Sequence, residues 1–348
     1  MITKLRHPFF VALAAGLAMV SAPALAQSER QQGSELQSSF DSAFGTEMRS
    51  PQSFEAIYET GFERRIAELA DGDRGRIGVA AMDLKTGEMI TVLGDQLFPM
   101  ASTSKIAVAA TYLEMVDQGK YSLTSEFPLL IPVRSAKYSS RAAPVRKGKY
   151  MPAIDLIEIM ITRSSNPATD ALLDAVGGPE KVNQWMRRQG INDFSIDRDI
   201  ATLVRDDGEY DPATWIDPRD AATPRAMVRL LQGLYRGDFL SDQSRRVLLG
   251  AMSRTVTGKR RIPAYMPEVA RVSHKTGSLN NTSSDIGIIE YPDGRAIAVA
   301  IYVTGQGTRR NREARIASIA RALYDGFDAK ARARDRNPNW TSATGNGG

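Results

Sequence analysis

Phe98-Pro99-Met100-Ala101-Ser102-Thr103-Ser104-Lys105-Ile106-Ala107-Val108-Ala109-Ala110 is the stretch on which the fold turns. Ile106, Val108, Ala109, Tyr112, Leu113 and Val116 make Ser102 to Asp117 the most apolar helical pattern of the chain, and Gly119 ends it. Moving outward, further helical patterns run from Pro152 to Ile161, from Pro167 to Gly177-Gly178 and from Pro179 to Arg188, with Gly190 beyond. Pro at the start and Gly past the end is the expected asymmetry of helix termini. Helical spacing dominates as far as about Met252. Strand patterns lie further out on both sides: Ile77 to Met82 and Met89 to Leu93 before it, and Val269 to Ser273, Asp285 to Tyr291 and Ala296 to Val303 after it. Pro292-Asp293-Gly294 supplies a hairpin turn. Amphipathic helices, Phe54 to Leu69 and Arg312 to Phe327, close the two ends, the second carrying Ile316, Ile319, Ala320 and Leu323 on one face. The economical arrangement is a two-lobed α/β plus all-α fold. An antiparallel sheet built from both chain ends is flanked by the terminal helices, and a helical insert packs against it. The expected boundaries are 53–328 for the folded domain, with an α/β lobe at about 53–100 and 262–328 and a helical lobe at about 101–261. A crevice between two such lobes is a favoured place for a site.

The ends read differently. Lys4 and Arg6 precede an apolar run from Phe9 to Val20, and Ala24-Leu25-Ala26 is the small-residue pattern of an export signal cut after Ala26. The run is too short to span a bilayer, which takes about 20 residues. Residues 27–52 and 329–348 are polar and aperiodic, and are expected to be disordered. The chain has 348 residues, no Cys and two His. Thiolate nucleophiles, disulfides and thiolate zinc sites are therefore excluded. His7 leaves with the signal, so a His-rich metal site is excluded as well, and neither a metal nor another cofactor is expected. Loss of Lys4 and Arg6 lowers the formal charge from +5 to +3. With no basic stripe interleaved with aromatics, nucleic acid is not an expected partner.

Chemistry is carried by three short motifs. In Ser102-Thr103-Ser104-Lys105, residues three apart share a helix face, which brings the Lys105 amine within reach of the Ser102 hydroxyl. Burial there disfavours the ammonium form, leaving a neutral amine to take the serine proton. Ser164-Ser165-Asn166 lies between two predicted helices and offers Ser164 as a proton shuttle and Asn166 as a hydrogen-bond partner for Lys105 or a substrate amide; alternatively, these residues simply cap the following helix. Lys275-Thr276-Gly277-Ser278 follows a predicted strand. It presents an ammonium and a hydroxyl to a substrate carboxylate, Gly277 allows close approach, and the N–H groups of Ser278 and Ser102 pair as an oxyanion hole. The same letters at Lys85-Thr86-Gly87 fall in a hairpin turn and read as structural. His274 is expected as a strand residue near the site without a catalytic role.

Taken in this order, the motifs resemble those of the penicillin-recognising serine hydrolases, most closely class A β-lactamases. The resemblance extends to Asn166-Pro167-Ala168-Thr169-Asp170-Ala171-Leu172-Leu173, Gly177-Gly178-Pro179, Arg219-Asp220-Ala221-Ala222-Thr223-Pro224 and Ser284-Asp285-Ile286. It implies acyl transfer through Ser102, catalysis by Ser102, Lys105 and Ser164, and substrate binding by Asn166, Lys275, Thr276, Gly277 and Ser278. The implied partner is a small β-lactam or peptidoglycan-like substrate, and the implied state is an exported, periplasmic monomer. There are departures. Ser165 stands where that family usually has aspartate. Arg198 and Asp220 look like the ion pair that anchors the family's loop, yet Ile200 occupies the place of its deacylating glutamate and Val204 that of a supporting asparagine. Isoleucine takes no proton. Hydrolysis then needs another base, with Asp199, Asp206, Asp207, Glu209 and Asp211 of the longer loop as candidates; without one, the protein acylates but deacylates slowly, or only binds a cell-wall ligand.

Overall fold

The computed structural model describes residues 60–336. The expected leader, the 27–52 segment, the start of the helix expected from Phe54, and residues 337–348 lie outside them. In chain order the elements are α1 (Gly61–Ala70), β1 (Ile77–Asp83), β2 (Met89–Val92) and β3 (Phe98–Pro99). A 3-10 turn (Ala101–Ser104) then leads into α2 (Lys105–Asp117), followed by β4 (Glu126–Pro132) and β5 (Val145–Pro152). The helices α3 (Ala153–Thr162), α4 (Asn166–Val176), α5 (Pro179–Arg188) and α6 (Ile200–Arg205) come next. After them come β6 (Ala221–Ala222), α7 (Pro224–Arg236), α8 (Asp242–Ser253), β7 (Arg271–Leu279), β8 (Thr282–Glu290), β9 (Ala296–Thr304) and α9 (Arg309–Arg336).

The main sheet is antiparallel in the order β2-β1-β9-β8-β7, so strands from the two ends of the chain meet at β1 and β9, with Val79 opposite Ile301. Side chains alternate across a strand. Val79, Ala81, Ile297, Val299, Ile301 and Val303 belong to a core shared with Ile316, Ile319, Leu323 and Phe327 of α9, whereas Ala80, Met82, Ala298, Ala300 and Tyr302 belong to the core of the helical lobe. Covering both faces explains why β9 reads Ala-Ile-Ala-Val-Ala-Ile-Tyr-Val without polar alternation. Helix α2, the most apolar helical pattern of the sequence, is buried along most of its length, from Lys105 to Leu113.

Four differences from the sequence reading stand out. Strand β7 does not stop at Ser273 but continues to Leu279, so the Lys275–Ser278 motif lies on the strand itself, paired with β8 through Thr276–Asp285 and Ser278–Ser283. The helical lobe contains a hairpin, β4–β5, whose second strand, Val-Arg-Lys-Gly-Lys-Tyr-Met-Pro, is mostly exposed and so carries no apolar alternation. A two-residue pair, β3 with β6, fastens the segment before Ser102 to the segment after Asp220. Finally, α9 runs through Arg336, so residues 329–336 of the expected disordered tail are helical. Charge pairs rather than apolar spacing extend it: Lys330 meets Glu88, and Arg334 meets Asp83 at 3.1 Å.

Candidate active site

The chain reaches Ser102 through a backbone that few residues adopt. Ala101 has φ +49°, in the left-handed region, at a cost of order 1–3 kcal/mol that the surroundings must offset. They do so with short bonds. Met100 N donates to Asp220 O at 3.0 Å, Thr103 Oγ1 donates to Met100 O at 2.8 Å, and Ser104 Oγ donates to Ala101 O at 2.9 Å. On the opposite wall, Gly277 lies so close that a Cβ would sit 2.7 Å from Met100 O and 3.1 Å from Ala101 Cβ. Only glycine lets β7 pass the serine turn at this distance.

Lys105 lies one helical turn beyond Ser102 and is fully buried. Its Nζ lies 2.8 Å from Ser164 O, 2.7 Å from Asn166 Oδ1 and 3.3 Å from Ser164 Oγ, so a neutral amine donates to the first two and keeps its lone pair. Burial holds its ammonium well below the ordinary lysine range, the positive charge of Lys275 lowers it further, and Asp170 partly opposes both. Lys275, also fully buried, is lowered to about 7 by burial, with Asp285 opposing and Arg261 adding to the fall. Its Nζ donates to Ser164 Oγ at 3.0 Å and to Thr276 O at 2.8 Å. Both lysines therefore converge on one hydroxyl. Ser164 is presented by a φ of +58° between α3 and α4, and its oxygen can accept from Lys275 while its own proton is within reach of the Lys105 lone pair. Ser165, the departure from the usual aspartate, caps α4 by accepting from Ala168 N at 3.4 Å. The capping role falls to this residue, while its two neighbours face the lysines.

Behind the Lys275 motif stands Arg261, a residue the sequence did not single out. It is buried; Nη1 donates to Gly277 O and to Ser284 O, both at 2.7 Å, and Nη2 donates to Ser278 Oγ at 2.6 Å, with Glu313 balancing its charge. Its position in a basic run, Lys259-Arg260-Arg261, disguised it as a solvated charge. Thr276 Oγ1 lies 2.7 Å from Thr257 Oγ1. His274 is paired, with Nδ1 2.8 Å from Asp285 Oδ1, and Asp285 also accepts from Ile262 N at 3.1 Å. Lys85-Thr86-Gly87 is a turn around Asp83, as expected, with Gly87 at φ +78°.

The loop from Arg198 to Asp220 is anchored by the expected pair, Arg198 Nε to Asp220 Oδ2 at 2.6 Å. Ile200 opens α6 and is buried, while Val204 is exposed. Each loop acid is engaged elsewhere. Asp199 caps α6 by accepting from Thr202 N, Asp206 pairs with Arg205 and accepts from Tyr138 N, Asp207 accepts from Asn280 N, Glu209 pairs with Arg219, and Asp211 accepts from Asn281 Nδ2. A further carboxylate, Asp170 of α4, accepts from Ile200 N at 2.7 Å and Ala201 N at 2.9 Å, and burial pushes it up to about 6. It ties the start of α6 to α4. The signal was there in Asn166-Pro167-Ala168-Thr169-Asp170, an acid one turn beyond Asn166 on the same helix face.

The sequence and fold that build this site are matched by known proteins. Residues 61–327 match the profile of the Beta-lactamase enzyme family. The chain belongs to that family. As a member it is a serine hydrolase of the acyl-enzyme type. Among its relatives is the extended-spectrum β-lactamase PER-1 of Pseudomonas aeruginosa, 28% identical over 301 residues, covering 83% of this chain and 91% of that one. A variant of the last common ancestor of Gram-negative class A β-lactamases is 34% identical with a TM-score of 0.66, covering 78% of this chain and all of that one. PBP-A, solved as a leucine-to-glutamate mutant in an acyl-enzyme complex with penicillin G, is 26% identical with a TM-score of 0.66, covering 78% and 97%. No helix among the described residues is long and apolar enough to cross a membrane.

Proposed function

We propose that the chain opens β-lactam amides through an acyl intermediate on Ser102. What carries the reading is the meeting of Lys105 Nζ and Lys275 Nζ on Ser164 Oγ, at 3.3 and 3.0 Å, beside the strained turn that presents Ser102. Neutral Lys105 takes the Ser102 proton as Oγ attacks the lactam carbonyl. The N–H groups of Ser102 and Ser278 receive the oxyanion. Ser164 passes a proton from Lys105 to the lactam nitrogen as the ring C–N bond breaks. The substrate carboxylate meets Lys275, Thr276 and Ser278, with Arg261 supplying positive charge through its bond to Ser278 Oγ. Asn166, held by Lys105, faces the amide of the substrate's acyl arm.

Deacylation is the slow step in this reading. Ile200 has no proton-accepting group, and the acids Asp199, Asp206, Asp207, Glu209 and Asp211 are bonded elsewhere. The same site therefore serves as a penicillin-binding one over short times, and a peptidoglycan-like amide is an alternative donor of the acyl group. The Lys4, Arg6, Phe9 to Val20 and Ala24-Leu25-Ala26 pattern supports export to the periplasm, where a monomer would meet either substrate. The test is lactam absorbance followed after mixing with a penicillin. A burst near one equivalent, then slow turnover, is expected; loss of absorbance at a constant rate with no burst contradicts slow deacylation, and no loss at all contradicts the substrate class.

A further inference from the structure

The run Lys259-Arg260-Arg261 divides its charges between two places. Arg261 is buried behind Ser278, whereas Lys259 and Arg260 are exposed and have no acidic partner among the described residues. The turn that carries them is held firmly. Gly258, at φ +72°, passes so close to β7 that a Cβ there would overlap Thr276 Cγ2, and Arg261 N donates to Gly258 O at 2.8 Å. Lys259 and Arg260 share a cavity of about 570 Å³ with Arg309, Arg310, Glu313 and Val256. The arginines come from the start of α9, which reads Thr308-Arg309-Arg310-Asn311-Arg312 and has no acid in its first turn. Cations at a helix N-terminus oppose the helix dipole, so this order costs the helix stability. Arg312 has a structural use there: it is buried and donates to Gly305 O at 3.0 Å and to Gly307 O at 2.8 Å. Arg310 has none, being exposed and without an acidic partner among the described residues.

The charges around this cavity do not balance. Glu313 is the one acid that borders it among the described residues, and its Oε1 is already shared by Arg309 Nε at 3.1 Å and the buried Arg261 Nη2 at 3.3 Å. Burial lowers the guanidiniums of Arg261 and Arg312, and the nearby charge of Arg309 adds to both falls. An anion in the cavity relieves that repulsion. Three of its four cations are arginines, whose planar fork matches the oxygens of a phosphate. They approach from two separate segments around a volume in the range of small-molecule sites, wider than one oxyanion needs. Val256 is the one apolar side chain bordering the cavity, so the surface offers little to a hydrocarbon layer. We propose that this cavity binds a small soluble anion carrying two linked phosphate groups, one held by Lys259 and Arg260 and the other by Arg309 and Arg310. None of these four cations belongs to the serine site, so the proposal does not rest on the β-lactam reading.

The experiment titrates the whole chain with inorganic diphosphate by calorimetry at fixed ionic strength. One equivalent is expected to bind, at least tenfold more tightly than inorganic phosphate, and to raise the thermal unfolding midpoint as a ligand of the folded state does. The double variant Lys259→Ala, Arg310→Ala is expected to weaken diphosphate binding at least tenfold, because each lost cation takes charge-assisted hydrogen bonds with it. Its side chains are exposed, so the fold is retained, and its midpoint without ligand should not fall, since a cation opposing the helix dipole has been removed. The control, Lys147→Ala, Lys149→Ala, takes the same charge from the exposed strand β5 and should bind diphosphate within threefold of the parent. Equal weakening in both double variants would mean general attraction to a basic chain and would overturn the proposal. So would phosphate binding as tightly as diphosphate, which removes the second phosphate position. Vesicles of equal parts phosphatidylglycerol and phosphatidylcholine form the last arm: binding to them without any binding of diphosphate would make the patch a lipid surface and overturn the soluble ligand, and binding to neither would overturn the site.

Discussion

Replacing Ile200 by Glu is the sharpest way to ask whether deacylation is limited by a missing base. Ile200 is 4% exposed, its N–H is fixed by Asp170, and it borders the same groove as Asn166, whose Oδ1 lies 2.7 Å from Lys105 Nζ. A glutamate there would place a carboxylate in the groove that Asn166 also lines. A placed general base is worth about 10²–10⁴ in rate, or roughly 3–5 kcal/mol off the barrier. The substitution also removes a buried apolar side chain at a cost of about 1.5–3 kcal/mol, and sets a second carboxylate near Asp170, already pushed up to about 6. The variant is therefore less stable above pH 6, where both groups ionise, than near pH 4. The assay forms the acyl-enzyme with excess penicillin, removes free ligand and follows loss of the adduct by mass. Decay at least a hundredfold faster in Ile200→Glu, with Ile200→Gln decaying like the parent, is the expected result. Equal decay of Glu and parent, or equal acceleration by Gln, would refute the reasoning, because Gln matches glutamate in size but takes no proton.

Other consequences are open to direct measurement. Burial raises Asp170 from 3.8 to about 6, so the folded state holds a proton that the unfolded chain has released; stability falls as pH rises from about 4 to 6 by some 3 kcal/mol. Asp170→Asn should flatten that slope in thermal unfolding, and an unchanged slope would assign it to other groups. Lys275, at about 7, loses its charge as pH rises, so KM for a carboxylate-bearing substrate should climb above pH 7, and Lys275→Arg should remove the climb. Ser164→Ala takes away the hydroxyl shared by both lysines, and a fall in the acylation rate of about 10²–10⁴ is expected from a proton-transfer role; a change below threefold would contradict it. Arg261→Ala leaves Gly277 O, Ser284 O and Ser278 Oγ without their donor and breaks a buried pair with Glu313, so a loss of about 3–5 kcal/mol in denaturant unfolding is expected.

Much of the candidate site was legible because its residues sit at element starts, where local sequence and geometry are closely linked. Ser102 and Lys105 follow from an apolar helix with a polar first turn, and Ser164 and Asn166 from a junction marked by Pro167. The sheet was legible where both faces are buried, as in β9. The reading failed where tertiary contacts rather than patterns decide. β5 is an exposed ribbon with nothing to alternate, and β7 continues through Lys275 to Leu279 because β8 pairs with it, which no polar stretch announces. Arg261 looked like its solvated neighbours Lys259 and Arg260 until the strand placed Gly277 O and Ser278 Oγ around it. The loop acids offered five equivalent carboxylates to a sequence reading. Only their partners, among them Tyr138, Asn280, Asn281 and Arg219, distinguish fasteners from bases.

The central claim is a covalent bond to Ser102. Its most direct test is intact mass after brief exposure to a penicillin, with digestion of the quenched protein to locate the adduct. A gain equal to the whole penicillin, carried by the peptide containing Ser102 and absent in Ser102→Ala, is the predicted result. An adduct on another peptide, or one that persists in Ser102→Ala, would contradict it.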